Sequence, residues 1–374
     1  MMVYLRCIAV LGVMLMPTSF ALAANSDDAY IAGYAAGVLK HDLKHDVPPL
    51  IVRDGVITLP VGGLTAADRA KAVQLLWEIP GVNAVKTAEA ADRQPTASTS
   101  NAAQISDDEA ESTLLSTGLL PKGHLFKPLL ADTRWAHFSA AYRNYQSKNF
   151  DGRDIASVSF GETIPFYRSN FGNSAVQWEA GLQAGVFSDF NLGASSSDLL
   201  NTDFIVSAYS SLRADRFSAF ARLYHQSSHL GDEFLLRKVN TKFERINLSY
   251  EGVDLKLSYE LPYGVRVYGG GGGLFHKEPS ELKTWSAQYG IEFRSPWRID
   301  FASMRPIVAA DIKHYDENNW STDVSARAGV EFENLQVLGR KLQILAEYYN
   351  GYSPSGQFYK EKVEYIGLGA HYHF

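Results

Sequence analysis

Cysteine is almost missing from this chain: of 374 residues only Cys7 carries a thiol. It stands ahead of the apolar stretch 8–16, with Arg6 before it and Ala21-Leu22-Ala23-Ala24 after that stretch. Together these read as a secretory signal over residues 1–24, which would take the cysteine with it on cleavage. The mature chain is then expected to hold no disulfide and no thiolate metal site. A run of about 20 apolar residues, the length of a spanning helix, is also missing. Basic excess is a third absence. Lys and Arg number 35 against 41 Asp and Glu, a formal charge of −6, which argues against a nucleic-acid partner. Aromatics are plentiful instead, with 20 Tyr, 20 Phe and 6 Trp.

Those aromatics fall into a pattern. At the end of the chain, Ile366, Leu368, Ala370, Tyr372 and Phe374 share one face of a strand, and Tyr365, Gly367, Gly369, His371 and His373 share the other. Similar alternation recurs from Trp135 onward. Val176, Trp178, Ala180, Leu182, Ala184 and Val186 oppose Gln177, Glu179 and Gln183. Leu342, Ile344, Ala346 and Tyr348 oppose Lys341, Gln343, Glu347 and Tyr349. Apolar faces with aromatic ends, set against charged faces, behind a secretory signal, predict a transmembrane antiparallel β-barrel over residues 120–374. Twelve strands are expected, near 135–146, 153–165, 175–187, 202–212, 216–228, 243–261, 265–276, 284–294, 304–315, 320–333, 341–351 and 363–374. In the sixth, Ile246, Leu248 and Tyr250 and then Val253, Leu255, Leu257 and Tyr259 form the apolar set, so a bulge at Glu251-Gly252 is expected. The last strand, with its terminal Phe374, resembles the final strand of Gram-negative outer-membrane barrels. That resemblance implies the outer membrane, with the barrel-assembly machinery as a partner and both chain ends in the periplasm.

Residues 27–88 read differently, as a small α+β unit: a helix over 28–40, strand pairs around Arg53-Asp54-Gly55, a helix capped by Thr65, and a short strand over 82–87. Asp54-Gly55-Val56-Ile57-Thr58-Leu59 and Ile79-Pro80-Gly81-Val82-Asn83-Ala84-Val85 resemble two segments of the BON domain. That resemblance implies a non-enzymatic periplasmic module touching phospholipid or an envelope protein. Residues 89–119, small, polar and then acidic, are expected to be a flexible linker.

Two further segments, Pro128-Leu129-Leu130-Ala131-Asp132-Thr133-Arg134 and Ser227-Ser228-His229-Leu230-Gly231-Asp232-Glu233, resemble the signatures of a bacterial family of unknown function. The first is expected to dock the linker at the periplasmic mouth. In the second, parity turns Arg222, Tyr224, Gln226 and Ser228 inward, since a cation facing lipid costs about 2–4 kcal/mol at mid-depth. His225 and Ser227 then face out, roughly 20–25 Å up the strand, at the outer-leaflet head groups. An outward His-x-Ser resembles the active-site strand of the lipid A 3-O-deacylases, which implies His225 as general base, Ser227 as nucleophile, and an acid among Asp232, Glu233 and Glu244, with Glu233 preferred. Asp232 and Glu233 also form a candidate divalent-cation site; no other cofactor is expected. Gly269 to Gly273 predict a kink or groove beside Tyr268 rather than a phosphate cradle. His371 and His373 are expected to meet lumenal carboxylates. Three roles remain open at this point. The barrel could be structural or binding with lipopolysaccharide as neighbour, it could hydrolyse envelope lipid, or it could be a small-solute pore.

Overall fold

The computed structural model describes residues 26–43, 50–53, 55–60, 64–88, 113–147, 152–172, 174–237, 246–299, 301–337 and 340–373. The secretory signal, most of the linker, Glu244 and Phe374 lie outside the described residues. The chain divides into two compact units, residues 1–99 and 100–374.

In the first unit, α1 (Ser26–Leu43), β1 (Ile51–Arg53), β2 (Val56–Pro60), α2 (Ala66–Trp77) and β3 (Ala84–Ala88) follow in order. β1 pairs antiparallel with β2, and β2 parallel with β3. Alternation puts Ile57, Leu59 and Val85 in the core, where Ala35 and Leu39 of α1 and Ala72, Val73 and Leu76 of α2 are also buried. Thr65 caps α2 by accepting from the Asp68 amide at 3.2 Å. Gly55 turns between β1 and β2 at φ 73°, and its amide donates to Asp28 Oδ1 at 2.9 Å. A Cβ there would lie 2.5 Å from the Gly81 carbonyl oxygen, so the turn requires glycine.

In the second unit, two-residue strands β4 (Thr113–Leu114) and β5 (Gly118–Leu119) come before the barrel. Twelve strands then run up and down. They are β6 (Phe138–Tyr145), β7 (Asp154–Asn170), β8 (Gln177–Asn191), β9 (Asp198–Ala214), β10 (Phe217–Leu230), β11 (Leu248–Glu260), β12 (Val265–Glu278), β13 (Trp285–Arg294), β14 (Met304–Tyr315), β15 (Thr322–Val337), β16 (Arg340–Tyr352) and β17 (Lys362–His373). A six-residue helix, α3 (Asp232–Arg237), interrupts the connection after β10. Each barrel strand pairs antiparallel with the next, and β17 pairs with β6 from Tyr365↔Tyr145 to Tyr372↔Phe138. The sheet closes on itself, leaving no edge to aggregate.

The walls sort as the sequence pattern requires. Gln177, Glu179, Gln183, Arg327, Glu331 and Glu347 are buried inside, while Leu182, Leu223, Leu255, Leu257, Ile366 and Leu368 stand exposed on the outer face. One strand departs from expectation. β11 pairs with β10 without interruption from Tyr259 to Leu248, so its parity never switches. The register shift at Glu251/Gly252 belongs to the other side of the strand, where β12 carries the extra residue Phe275. Leu248 and Tyr250 therefore face the lumen, not the outer surface. Strand β11 also starts at Leu248 rather than near residue 243.

Candidate functional site

The chain does not pass straight from β5 into β6. Leu120 donates its amide to the Phe166 carbonyl (3.0 Å), beside the pairing of β5 with the end of β7. From there residues 121–137 run inside the barrel, and side chains of the wall grip their backbone. Arg168, fully buried, donates to the carbonyls of Ser116 (3.0 Å), Lys122 (2.8 Å) and Gly123 (2.7 Å) while paired with Glu179. Arg266 donates to the carbonyls of Lys127 (2.9 Å) and Pro128 (3.0 Å) and pairs with Glu292 (3.1 Å). Glu292 in turn accepts the Leu130 amide at 2.6 Å, and Arg327 donates to the Leu130 carbonyl at 2.7 Å. Irregular backbone at barrel depth must have its polar groups satisfied by protein, and here buried guanidiniums do it.

The expectation that Pro128 to Arg134 dock at the mouth holds for the start of that run and fails for its end. Lys127, just before that run, pairs with Glu260, the last residue of β11. Asp132 lies much further along the lumen, ion-paired with Lys313 and accepting from Gln288 (3.0 Å). Arg134 reaches the far end, where it donates to the Pro354 carbonyl (2.8 Å) and pairs with Asp203 (2.8 Å). Residues 135–137 then return through the lumen instead of opening the first strand. Trp135 packs between Phe126 and Phe220, with centroids 5.8 and 5.2 Å away. The segment is a plug, inserted from the end where His373 lies and leaving by the same end.

Asp203 joins the two signature segments. Besides Arg134 it receives the Ser228 hydroxyl and the Gly356 amide (3.1 Å). Gln357 donates to the Ser228 carbonyl at 2.8 Å and to that of Ile246 at 2.9 Å. The connection between β16 and β17 is thereby drawn inward and locked onto the plug tip. A Cβ on Gly356 would meet Ser228 Oγ at 2.6 Å, so this approach needs glycine. The signature residues fasten the plug to the wall and to this connection. Sequence reasoning had no signal for that, because Asp203 belongs to neither segment.

Above the plug tip the lumen opens into a cup of about 150 Å³. Thr133 and Arg134 form its floor. Tyr224, Tyr250, Tyr315, Tyr349, Lys313 and Asp323 line its walls, with Leu248 and Gln226 between them, and Trp285 stands at the rim. Tyr349 donates its hydroxyl to the Tyr352 carbonyl. Among the described residues the hydroxyls of Tyr224, Tyr250 and Tyr315 make no hydrogen bond. The cations at the floor are matched, Arg134 by Asp203 and Lys313 by Asp132. The cup therefore offers aromatic faces and hydroxyls, with the carboxylates of Asp311, Glu317 and Asp323 as acceptors among them. The sequence pattern turns Tyr224 and Tyr349 away from the outer face but Tyr250 onto it, because an aromatic lumenal lining has the same period as an aromatic outer face.

On the outer wall, β10 turns His225 and Ser227 away from the lumen, on the side opposite buried Gln226 and Ser228. Glu251 stands directly across from His225 in the ladder, its Oε1 2.7 Å from His225 Nδ1. Its Oε2 lies 2.6 Å from Nδ1 of His276 on β12, so one carboxylate serves two imidazoles. The acid beside His225 is thus Glu251 rather than Glu233. Asp232 and Glu233 form the exposed first turn of α3, where negative charge suits a helix start. Among the described residues Ser227 Oγ makes no hydrogen bond to His225. Glu251 could have been found from the ladder register had β11 been read with a single parity.

At the end where the plug enters, His371 and His373 of β17 meet His137, the last residue before β6. His137 Nε2 lies 3.0 Å from His371 Nδ1, and the rings of His137 and His373 stack at 4.1 Å. A carboxylate does approach His371, with Glu347 Oε1 3.3 Å from Nε2. His373 meets another histidine instead.

Closed topology, sorted walls and a lumenal plug define a β-barrel of the outer-membrane type. The chain belongs to the family described as "Protein of unknown function (DUF1207)", whose profile matches residues 42–374. No curated protein matches it. Among solved structures it is similar to the outer-membrane phospholipase A from Escherichia coli, at 12% identity and a TM-score of 0.45, covering 67% of this chain and 94% of that one. It is also similar to the phospholipase dimer with bound calcium from Salmonella typhi (12%, TM-score 0.46, 63% and 90%) and to the β domain of the Bordetella autotransporter BrkA (14%, 0.35, 64% and 97%). At such identities the likeness concerns the fold alone.

Proposed function

We propose that the protein is an outer-membrane receptor-like barrel, closed to solutes by its own plug, that holds a small neutral polyhydroxylated ring in the cup. In this reading the His373 end lies in the periplasm with the small N-terminal unit, and the cup opens outward among lipopolysaccharide. The observation that carries it is the plug itself, whose backbone is gripped by Arg168, Arg266 and Arg327 while the space beyond its tip stays lined by partnerless tyrosine hydroxyls. A cavity of roughly 150 Å³ is the size that accepts one six-membered ring. Tyrosine faces suit the C–H faces of a sugar, and their hydroxyls suit its own hydroxyls. Purified protein should show no conductance steps in planar bilayers, and the fluorescence of Trp285 at the rim should respond saturably to glucose, galactose or mannose. Stepwise conductance by the intact protein would end this reading in favour of a pore.

A second reading has its own observation, the 2.7 Å contact between Glu251 and His225. With Nδ1 held by a carboxylate, the other imidazole nitrogen is free to take a proton from Ser227, two residues along the same face. The Ser227 oxygen would attack a lipid ester carbonyl, the imidazolium would protonate the departing alcohol, and a water deprotonated by His225 would then release the fatty acid from Ser227. Lipid A and phospholipid from cells expressing wild type or Ser227→Ala should then differ in acyl pattern by mass spectrometry. Identical patterns dispose of the hydrolase.

A further inference from the structure

We infer that His137, His371 and His373 form a binding site for one divalent transition-metal ion of the zinc or copper class, which staples the plug's exit to the last strand. One ring nitrogen from each lies within 4.8 Å of the other two, and the three residues are 4%, 0% and 2% exposed. Among the described residues this is the one group of three or more histidines, cysteines or carboxylates close enough to share an ion.

The hydrogen-bond pattern points the same way. His137 Nδ1 lies 2.6 Å from the Trp135 carbonyl, which fixes the ring proton there and leaves Nε2 as a lone pair. Glu347 Oε1 lies 3.3 Å from His371 Nε2 without hydrogen-bonding it, and a carboxylate at that distance favours the proton on that nitrogen, leaving the lone pair on Nδ1. Two lone pairs then face each other across 3.0 Å, an arrangement that calls for an acid between them. Ligands bound at 2.0–2.1 Å in a tetrahedron lie about 3.3 Å apart, so a small shift admits a metal ion. A carbonyl behind one histidine and a carboxylate behind another are also the usual supports of metal-bound imidazole.

His373 supplies the independent observation. It is buried, and among the described residues neither ring nitrogen has a hydrogen-bond partner, a costly state that metal ligation relieves. A rotation that breaks its stack on His137 turns one nitrogen toward the other two. Beside it lies a cavity of about 10 Å³ lined by His124, Trp135, His137, Glu162 and His373. That is room for a single water as the fourth ligand. Arg143 and Arg327 are matched by Glu347 and Asp189, and Arg340, which also lines that cavity, by Glu162, so no fixed net cation opposes the ion. Three imidazoles and no carboxylate in direct ligation favour zinc or copper over calcium or magnesium.

The test uses the full-length protein in detergent, stripped with EDTA and dialysed separately against Zn²⁺, Co²⁺, Ca²⁺ and Mg²⁺. One Zn²⁺ per chain should be retained on elemental analysis, Co²⁺ should give the visible absorption of tetrahedral nitrogen ligation, and Ca²⁺ and Mg²⁺ should wash out. At free Zn²⁺ a hundred times its Kd, the unfolding equilibrium constant should fall about a hundredfold. His373→Ala and, separately, His137→Gln should lose the ion while keeping the heat-modifiable mobility of a folded barrel. Retention of no ion by wild type, or equal retention by both variants, overturns the site. Should neither variant fold, the Co²⁺ spectrum of wild type decides, and a featureless one overturns it equally.

Discussion

The two halves of the lumen are built from the same strands and do opposite things. Toward His373, arginines of the wall spend their donors on plug carbonyls, and almost every charge is paired and buried. Toward the far end, the same inward positions carry tyrosines whose hydroxyls face open space. One half is fastened, and the other is the half that receives the ring in the proposed reading. The difference teaches that a plugged barrel need not be inert, because the plug that seals one end supplies a floor at the other.

The sharpest way to break this comparison is to remove one fastening. Arg266→Ala leaves Glu292 buried without its cation and uncaps two carbonyls, so it should cost about 3–5 kcal/mol. Urea unfolding in detergent, followed by heat-modifiable mobility, reads this. Tyr250→Ala, at the cup end, should cost less than half as much, because Tyr250 is only partly buried and its hydroxyl makes no hydrogen bond among the described residues. Equal losses would mean that the two halves are not energetically distinct.

Conductance sharpens the same contrast. Arg266→Ala combined with Arg327→Ala frees the plug backbone at Lys127, Pro128 and Leu130. Planar bilayers should then show flickering steps where wild type and Tyr250→Ala show none. Silence from the double variant, provided it folds, would place the hold on the plug at Asp132 and Arg134 instead.

The barrel was legible in the sequence because each strand alternates strictly, and strand number and direction follow from that pattern. β8, β15, β16 and β17 face the way their residues predict. The interior was much less legible. Leu125 to Arg134 has no period, since its backbone is satisfied by arginines contributed from β12 and β15, and no local pattern encodes a partner over a hundred residues away. Leu248 and Tyr250 misled for another reason: apolar and aromatic side chains mark a lipid face and a ligand cup alike. That misreading also hid Glu251, the carboxylate that His225 meets, behind a bulge that belongs to β12.

A moderate effect is expected where plug, wall and connection meet. Gly356→Ala would press a methyl group to within 2.6 Å of Ser228 Oγ and 2.9 Å of Asp203. Overpacking of this kind costs about 1–3 kcal/mol. The loss should appear as faster proteolysis within 353–361 before any change in the strands. Unaltered cleavage would show that the connection is held by Gln357 without the close approach.

The smallest effect probes the receiving half alone. Tyr250→Phe deletes one hydroxyl and keeps the ring, so stability should stay within about 0.5 kcal/mol of wild type. Hexose affinity should drop roughly two- to tenfold, the value of one net hydrogen bond. Ser227→Ala, on the outer face of the neighbouring strand, removes a hydroxyl of the same kind but outside the cup, and should leave hexose affinity untouched. Titrating Trp285 fluorescence with the same sugar in all three proteins separates the faces of one wall. An equal loss from Ser227→Ala would move the binding site from the lumen to the outer surface and reverse the comparison between the two halves.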